Sequence, residues 1–143
     1  MLKQRIMVFG TFDGLHKGHL DFFKQARAKS KNPFLVVSIA RDINVEKIKG
    51  KPPHKNEFER LVLVRRNKLV DKAVLSGKSN YLSHIIKERP DIIALGYDQK
   101  HYTRGLKKDL QDRGLTPKIV RLKPYKEYIY KNSLLKNKVN KLN

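Results

Sequence analysis

The fold is decided by residues 6–19, which read Ile6-Met7-Val8-Phe9-Gly10-Thr11-Phe12-Asp13-Gly14-Leu15-His16-Lys17-Gly18-His19. The first four residues are apolar and predict a buried strand, the glycines after them predict a turn, and an amphipathic segment begins at Leu20. Such a turn directs backbone N–H groups and the positive end of a helix at one point, which suits a phosphate. His16 and His19 fall on one face of the first helical turn, beside that point. The stretch therefore predicts a strand, a turn and a helix that together bind a polyphosphate.

Short apolar runs alternate with helical patterns along the rest of the chain. The strands are predicted at residues 6–9, 34–39, 72–75, 91–95 and 118–122, and the helices at 18–29, 56–69, 81–88 and 103–113. On the second helix we expect Phe58, Leu61, Val62 and Leu69 to face the core, and residues 41–55 are predicted to be irregular. The alternation is typical of βαβ units, so we expect an α/β fold, a single Rossmann-like domain with a parallel five-stranded sheet.

Length and composition set the outer bounds. A chain of 143 residues is the size of one domain, and we expect that domain over residues 1–135, with a basic tail over 136–143. No run of about eighteen apolar residues predicts a membrane span, and residues 1–5 lead directly into a strand, so we expect a cytoplasmic protein without a membrane partner. The absence of cysteine excludes disulfides, thiolate zinc sites and cysteine nucleophiles.

The chain is strongly basic, with a formal net charge of +20 from 33 Lys and Arg against 13 Asp and Glu. The lysines are scattered along every segment, and no zinc-finger, RNP or aromatic-basic pattern accompanies them. We therefore expect no specific nucleic-acid partner. A basic nucleic-acid-binding domain remains the alternative from another class of function.

Four segments are predicted to meet at one edge of the sheet, because loops that leave the carboxyl ends of parallel strands gather there. They are the turn over residues 10–19, the basic segment with Lys47 and Lys49 after the second strand, the turn over residues 96–99, and the segment after the fifth strand. Ligands bind at this edge in open α/β folds, so we expect one composite site.

The first motif resembles a known signature, G-x-F-D-x-x-H-x-G-H, which this chain matches at Gly10, Phe12, Asp13, His16, Gly18 and His19. It is the signature of the cytidylyltransferase-like nucleotidyltransferases. Residues 40–42, 47–52, 91–99 and 121–127 further resemble the archaeal-type FAD synthases, so the resemblance covers nearly the whole chain. It implies transfer of an adenylyl group from ATP to FMN with release of pyrophosphate. Cytidylyltransferases that use CTP and glycerol 3-phosphate or a similar alcohol phosphate share the first motif and remain the alternative.

The resemblance also implies roles for individual residues. The nucleoside triphosphate would lie along the strand ends, with the histidines at its phosphates, and the family forms homodimers. Arg60 resembles the arginine of an E-Q-R strip, and residues 130–133 resemble a second signature in which Asn132 replaces an expected hydroxyl. The implied nucleotide-binding residues are Gly10, Thr11, Phe12, Gly18, Arg60, Gly96, Asp98, Tyr130, Asn132 and Ser133.

The charges of such a reaction indicate which groups it needs. A phosphate monoester is already ionised at neutral pH, so no base has to remove a proton. The barrier is repulsion between anions, and positive charge with oriented donors lowers it. We predict that His16 and His19 donate to phosphate oxygens and that Lys47 or Lys49 closes over the incoming phosphate. Asp13 is expected to hold the turn by accepting from a following N–H, and Mg²⁺ to arrive with the triphosphate instead of on protein ligands.

Overall fold

The computed structural model describes residues 2–99 and 105–125 and contains five strands and five helices in these ranges. In chain order they are β1 (Gln4–Gly10), α1 (Lys17–Arg27), β2 (Pro33–Ile39), α2 (Asp42–Lys49), α3 (Glu57–Arg65), β3 (Lys72–Leu75), α4 (Tyr81–Glu88), β4 (Ile92–Leu95), α5 (Leu106–Asp112) and β5 (Lys118–Arg121). All five predicted strands are confirmed, with ends that differ by two residues or fewer.

The strands form one parallel sheet in the order β3-β2-β1-β4-β5, which confirms the predicted α/β, Rossmann-like architecture. Helices cover both faces. Side chains of α1 and α3 pack against one face, which includes Ile6 and Val8 of β1. Side chains of α4 and α5 pack against the other, which includes Met7 and Phe9. Burial on both faces explains why β1 reads as a continuous apolar run instead of an alternating one.

Helix α2 lies where the sequence predicted irregular structure, so that prediction was wrong. The helix buries only Val45, whereas Ile43 and Ile48 are 52% and 79% exposed. The segment therefore has no apolar stripe for a periodicity argument to detect. Gly50 ends the helix in the left-handed conformation at φ 76°, as glycine commonly does.

Helix α3 faces the core only in part as predicted: Leu61 packs against the core, as does Leu69 beyond the end of the helix. Phe58 and Val62 are 63% and 41% exposed, while the buried residues of the helix are Arg60 and Val64. The start agrees with the prediction, because Asn56 and Glu59 form a reciprocal capping box there.

Arg60 lies on the inward side of α3, where its side chain is fully buried. Its Nη1 donates to the carbonyl oxygens of Thr11 and Ala40, both at 2.8 Å, and its Nε donates to that of Lys55 at 3.0 Å. Its Nη2 pairs with Asp42 Oδ1 at 2.7 Å. The assignment of Arg60 to the nucleotide is therefore wrong: the guanidinium is inaccessible and joins the turn after β1, the end of β2, the start of α2 and the loop before α3.

We predict that Arg60→Met lowers the free energy of unfolding by about 3 kcal/mol, because it removes four hydrogen bonds that join three backbone carbonyls and the Asp42 carboxylate to one buried group. Urea unfolding measures the change. Arg65→Met is the matched control, since Arg65 is exposed on the same helix. If both substitutions lower the free energy of unfolding equally, the hydrogen bonds of Arg60 add no measurable stability.

Candidate active site

Two cavities open at the carboxyl ends of the strands. The first has a volume of about 260 Å³ and lies between the start of α1, the turn after β4 and residues 123–125. The second, of about 400 Å³, lies between the turn after β1 and the end of α2. Phe12, His16 and His19 line both. The two predicted histidines therefore lie at the boundary between the cavities.

The histidines hold each other in place at the start of α1. His16 is the N-cap residue, and its Nδ1 accepts from the backbone N–H of Gly18 at 3.1 Å. The Nδ1 of His19 accepts from the backbone N–H of His16 at 3.3 Å, and the two rings stack with centroids 3.8 Å apart. Because both Nδ1 atoms accept, each neutral imidazole carries its proton on Nε2. Each ring is thus oriented as a hydrogen-bond donor through that atom.

His19 is neutral at physiological pH. Burial lowers the pKa of its imidazole, and the nearby charge of His16 lowers it further, to about 4. Before an anion binds, the ring therefore offers a directed N–H and no positive charge. The cations that line the cavities are Lys49 in the second and Lys123 in the first.

The turn after β1 is shaped by Phe12. This residue adopts a left-handed backbone conformation at φ 55°, and its buried ring contacts the edge of the His19 ring with centroids 5.3 Å apart. A Cβ atom on Gly10 would lie 2.6 Å from Phe12 Cζ, so only glycine fits there. The Phe12 side chain is part of the core. A contact between Phe12 and the nucleotide is therefore proposed only for its backbone.

Asp13 has the structural role that the sequence predicted, with a different partner. Its carboxylate accepts from the backbone N–H groups of His54 and Lys55 at 2.7 and 2.8 Å, not from a residue that follows it closely. Loss of hydration alone would raise the pKa of Asp13, but the N–H groups of Lys55 and His54 hold it below its usual value. Asp13 therefore fastens the loop between α2 and α3 to the turn.

The two candidate lysines lie near the end of α2 and not in a loop. Lys49 lines the second cavity together with Thr11, whereas Lys47 lines neither of the two. Lys49 is thus the better placed of the two to contact an anion beside the histidines.

Gly96 and Asp98 both line the first cavity, as does Gly18. A Cβ on Gly96 would lie 3.4 Å from Phe22 Cε1 and 3.3 Å from Asp98 Oδ1. The N–H of Gly96 donates to Gln99 Oε1 at 2.8 Å, and its carbonyl accepts from Arg121 Nη1 at 2.6 Å. Both backbone groups of Gly96 are engaged by the protein, so its contribution to the cavity is its missing side chain.

Sequence reasoning missed Gln99, Phe22 and Lys123, which also line the first cavity. Gln99 was part of a predicted ligand turn, but no local pattern showed its role. Tyr130, Asn132, Ser133 and the tail over residues 136–143 lie outside the described residues. Within residues 2–99 and 105–125, no cluster of three or more His, Asp and Glu is arranged to hold a metal ion. No helix in those ranges is long and apolar enough to cross a membrane.

We predict that His19 makes folding stability fall as the pH is lowered from 6.5 to about 4. The unfolded chain has the ordinary histidine pKa of 6.5, whereas the folded state holds it near 4, so the unfolded state binds more protons in this window. The full contribution is present above pH 6.5. Urea unfolding across this range should show a flatter profile for His19→Gln than for the wild type.

His54→Gln is the matched control for that series, because the His54 side chain lies at the surface. Burial also lowers the pKa of His84, so some pH dependence should survive in His19→Gln. An unchanged profile in this variant would contradict the assignment of a lowered pKa to His19.

Comparisons with known proteins agree with the first motif and the fold. A family model described as cytidylyltransferase-like matches residues 7–134. The FAD synthase of Aciduliprofundum boonei is 44% identical over 121 residues, which cover 85% of this chain and 79% of that protein. The FAD synthase of Thermoplasma volcanium is 37% identical over 138 residues, which cover 96% and 95%.

Solved structures give the same result. A Thermoplasma volcanium protein described as a lipopolysaccharide core biosynthesis protein is 38% identical, with a TM-score of 0.78 over 85% of this chain and 98% of that one. An Archaeoglobus fulgidus protein of unknown function shares only the fold, with 13% identity and a TM-score of 0.66. With its signature motif at the meeting point of two cavities, this chain belongs to the cytidylyltransferase-like family.

Proposed function

We propose that this protein transfers the adenylyl group of ATP to FMN and so makes FAD and pyrophosphate. The observation that carries the proposal is the meeting of two cavities at His16 and His19. In such a transfer the attacking oxygen of one substrate lies opposite the leaving group at the phosphorus of the other substrate. Both substrates must therefore be held side by side in a fixed geometry. The similarity to proteins named FAD synthase supports the choice of substrates.

ATP is proposed to occupy the first cavity. Phe22, Tyr97 and Tyr125 line it and offer aromatic surface for a flat base. Asp98, in the turn after β4, lines this cavity and is proposed to contact the nucleoside, with the triphosphate extending toward the start of α1. That helix start, with the backbone of the Gly10–Phe12 turn and Gly18, suits the phosphates.

The phosphate end of FMN is proposed to occupy the second cavity, beside Thr11 and Lys49. Its phosphate oxygen, already ionised at neutral pH, attacks the α-phosphorus of ATP. The new P–O bond forms as the bond from that phosphorus to the bridging oxygen of the β-phosphate breaks. Pyrophosphate leaves with both electrons of the broken bond, so the step needs no base.

The protein contributes oriented donors and positive charge to this step. The Nε2–H groups of His16 and His19 donate to phosphate oxygens whose charge grows in the transition state, and their stacked, mutually capped rings need no reorganisation to do so. Bound phosphates raise the pKa of a neighbouring imidazole, so nucleotide binding favours the protonated form of His19.

Magnesium is proposed to enter with the triphosphate. The Asp13 carboxylate, the one acid in the first motif, already accepts from two backbone N–H groups, which makes it a poor ligand for Mg²⁺. Mg²⁺ keeps several waters and binds readily to substrate phosphates, where it neutralises their charge. The use of ATP fits a cytoplasmic location, and the family resemblance carries the proposal of a homodimer.

One experiment tests the choice of substrates. The protein is incubated with Mg²⁺ and each pairing of ATP or CTP with FMN, glycerol 3-phosphate or phosphocholine, and pyrophosphate and product mass are followed. We expect FAD from ATP and FMN and little product from the other pairings. His19→Ala should lower kcat about 10²-fold while a cooperative thermal melt shows that the variant stays folded, which assigns the activity to this site. Product from CTP and an alcohol phosphate, with none from FMN, would overturn the flavin assignment.

We predict that Lys49→Ala raises the KM for FMN about tenfold, because it removes a cation from the wall of the second cavity. Steady-state kinetics at saturating ATP measures the effect. Lys47→Ala is the matched control, with the same loss of charge on the same helix but outside both cavities. Equal changes in the two variants would indicate a general electrostatic effect and contradict a contact through Lys49.

A further inference from the structure

The first cavity lies beyond the point where the neighbouring strands β1 and β4 stop pairing. Strand β1 pairs with β2 along its whole length, up to Gly10 and Ile39. With β4 it pairs only through Ile6–Ile92 and Met7–Ile93. Beyond that point β4 continues beside β5 as far as Leu95 and Arg121. The crevice between β1 and β4 is thus an opening in a sheet whose outer strand pairs remain closed.

The side chain of Gln99 spans this opening. The Nε2 of Gln99 donates to the carbonyl oxygen of Phe9 on β1 at 2.8 Å, and its Oε1 accepts from the N–H of Gly96, which follows β4, at 2.8 Å. One primary amide thereby offers a donor to one strand and an acceptor to the other, as a peptide group of an intervening strand would. Phe9 and Gly96 both line the first cavity, so the amide bridges the crevice where the cavity begins.

The backbone around this bridge is suited to it. The turn from β4 is closed by the N–H of Gln99, which donates to the carbonyl of Gly96 at 3.1 Å. A Cβ on Gly96 would be in ordinary van der Waals contact with Gln99 Cδ at 3.5 Å, so the amide packs directly against the main chain at Gly96. Without the amide, the Phe9 carbonyl and the Gly96 N–H lose the group that joins them, and the bridge no longer fixes the distance between β1 and β4.

We propose that Gln99 is a positioning residue that sets the width of the crevice between β1 and β4, and with it the affinity of the first cavity for the nucleotide. This inference rests on the proposed function, because it takes ATP as the occupant of that cavity. Gln99 acts through the two strands and not on the reacting atoms, so its loss affects the binding of ATP more than the chemical step.

Two substitutions and one control test the proposal. Gln99→Met keeps the length of the side chain and removes both hydrogen bonds. Gln99→Glu keeps the acceptor for Gly96 but turns a carboxylate oxygen toward the Phe9 carbonyl. Gln111→Glu makes the same charge change on the exposed side of α5. We expect the KM for ATP to rise about tenfold in both Gln99 variants, while kcat and the KM for FMN stay within about twofold of the wild type.

A pH profile separates this role from a general structural one. A protonated glutamic acid carries one O–H donor and one acceptor oxygen, as the amide of glutamine does. The ratio of the KM for ATP of Gln99→Glu to that of the wild type at the same pH should therefore fall toward one as the pH is lowered through the pKa of the new carboxyl. Gln99→Met should show no such recovery. A Gln99→Glu variant that does not recover in acid would overturn the proposal.

Amide hydrogen exchange tests the bridge in the ligand-free protein, without reference to activity. The Gly96 N–H should exchange at least about tenfold faster in Gln99→Met than in the wild type. The Leu122 N–H, which donates to the Leu95 carbonyl at 2.7 Å, should be unchanged and so shows that the sheet remains folded. Unchanged protection of Gly96, or a wild-type KM for ATP in both variants, would overturn the inference. A wild-type protein that makes no FAD would instead contradict the proposed function, and exchange at Gly96 would still decide the bridge.

Discussion

Four hydrogen bonds from one buried guanidinium join the segments that form the site. Arg60 binds the carbonyl oxygens of Thr11, Ala40 and Lys55 and the carboxylate of Asp42. A buried cation is costly unless it is paired and fully hydrogen-bonded, so these segments are fixed in position relative to one another. Asp13 adds a second fastening from the turn to the loop between α2 and α3. The left-handed Phe12 and the lysine-bearing end of α2 depend on this network for their positions.

Two kinds of group act on anions at this site: neutral hydrogen-bond donors and cations. The histidines are held by mutual capping and stacking, and burial keeps His19 neutral. They are therefore oriented donors before any ligand arrives, which is the arrangement in which a hydrogen bond stabilises developing charge most effectively. Lys49 and Lys123 supply formal charge from the two cavity walls. A neutral donor at the boundary and cations on the walls suit a reaction in which two anions must meet at one phosphorus.

How far the sequence predicts this structure depends on how local each feature is. The unit of strand β1, its turn and helix α1 was predicted because apolar run, glycines and histidines stand side by side in the chain. Helix α2 was missed because ion pairs to α3, such as Arg41–Glu57 at 2.8 Å, hold it in place of an apolar stripe. Arg60 was assigned to the ligand because it resembles the arginine of an E-Q-R strip, and nothing in its sequence neighbours shows that it is buried. Asp13 was given the right role and the wrong partner, since His54 is distant in sequence.

Gln99 and Gln25 show a further limit, because the groups they join are brought together only by the topology. Gln25 of α1 donates to the carbonyl of Lys123 and accepts from its N–H, both at 2.8 Å, as Gln99 does across the crevice. Both walls of the first cavity are thus held by neutral amides. A carboxylate in either place would have to face a carbonyl oxygen, and it would add negative charge beside a polyphosphate. Glutamine is the side chain that binds both backbone groups at this reach without adding a further negative charge to a cavity whose wall already carries Asp21 and Asp98.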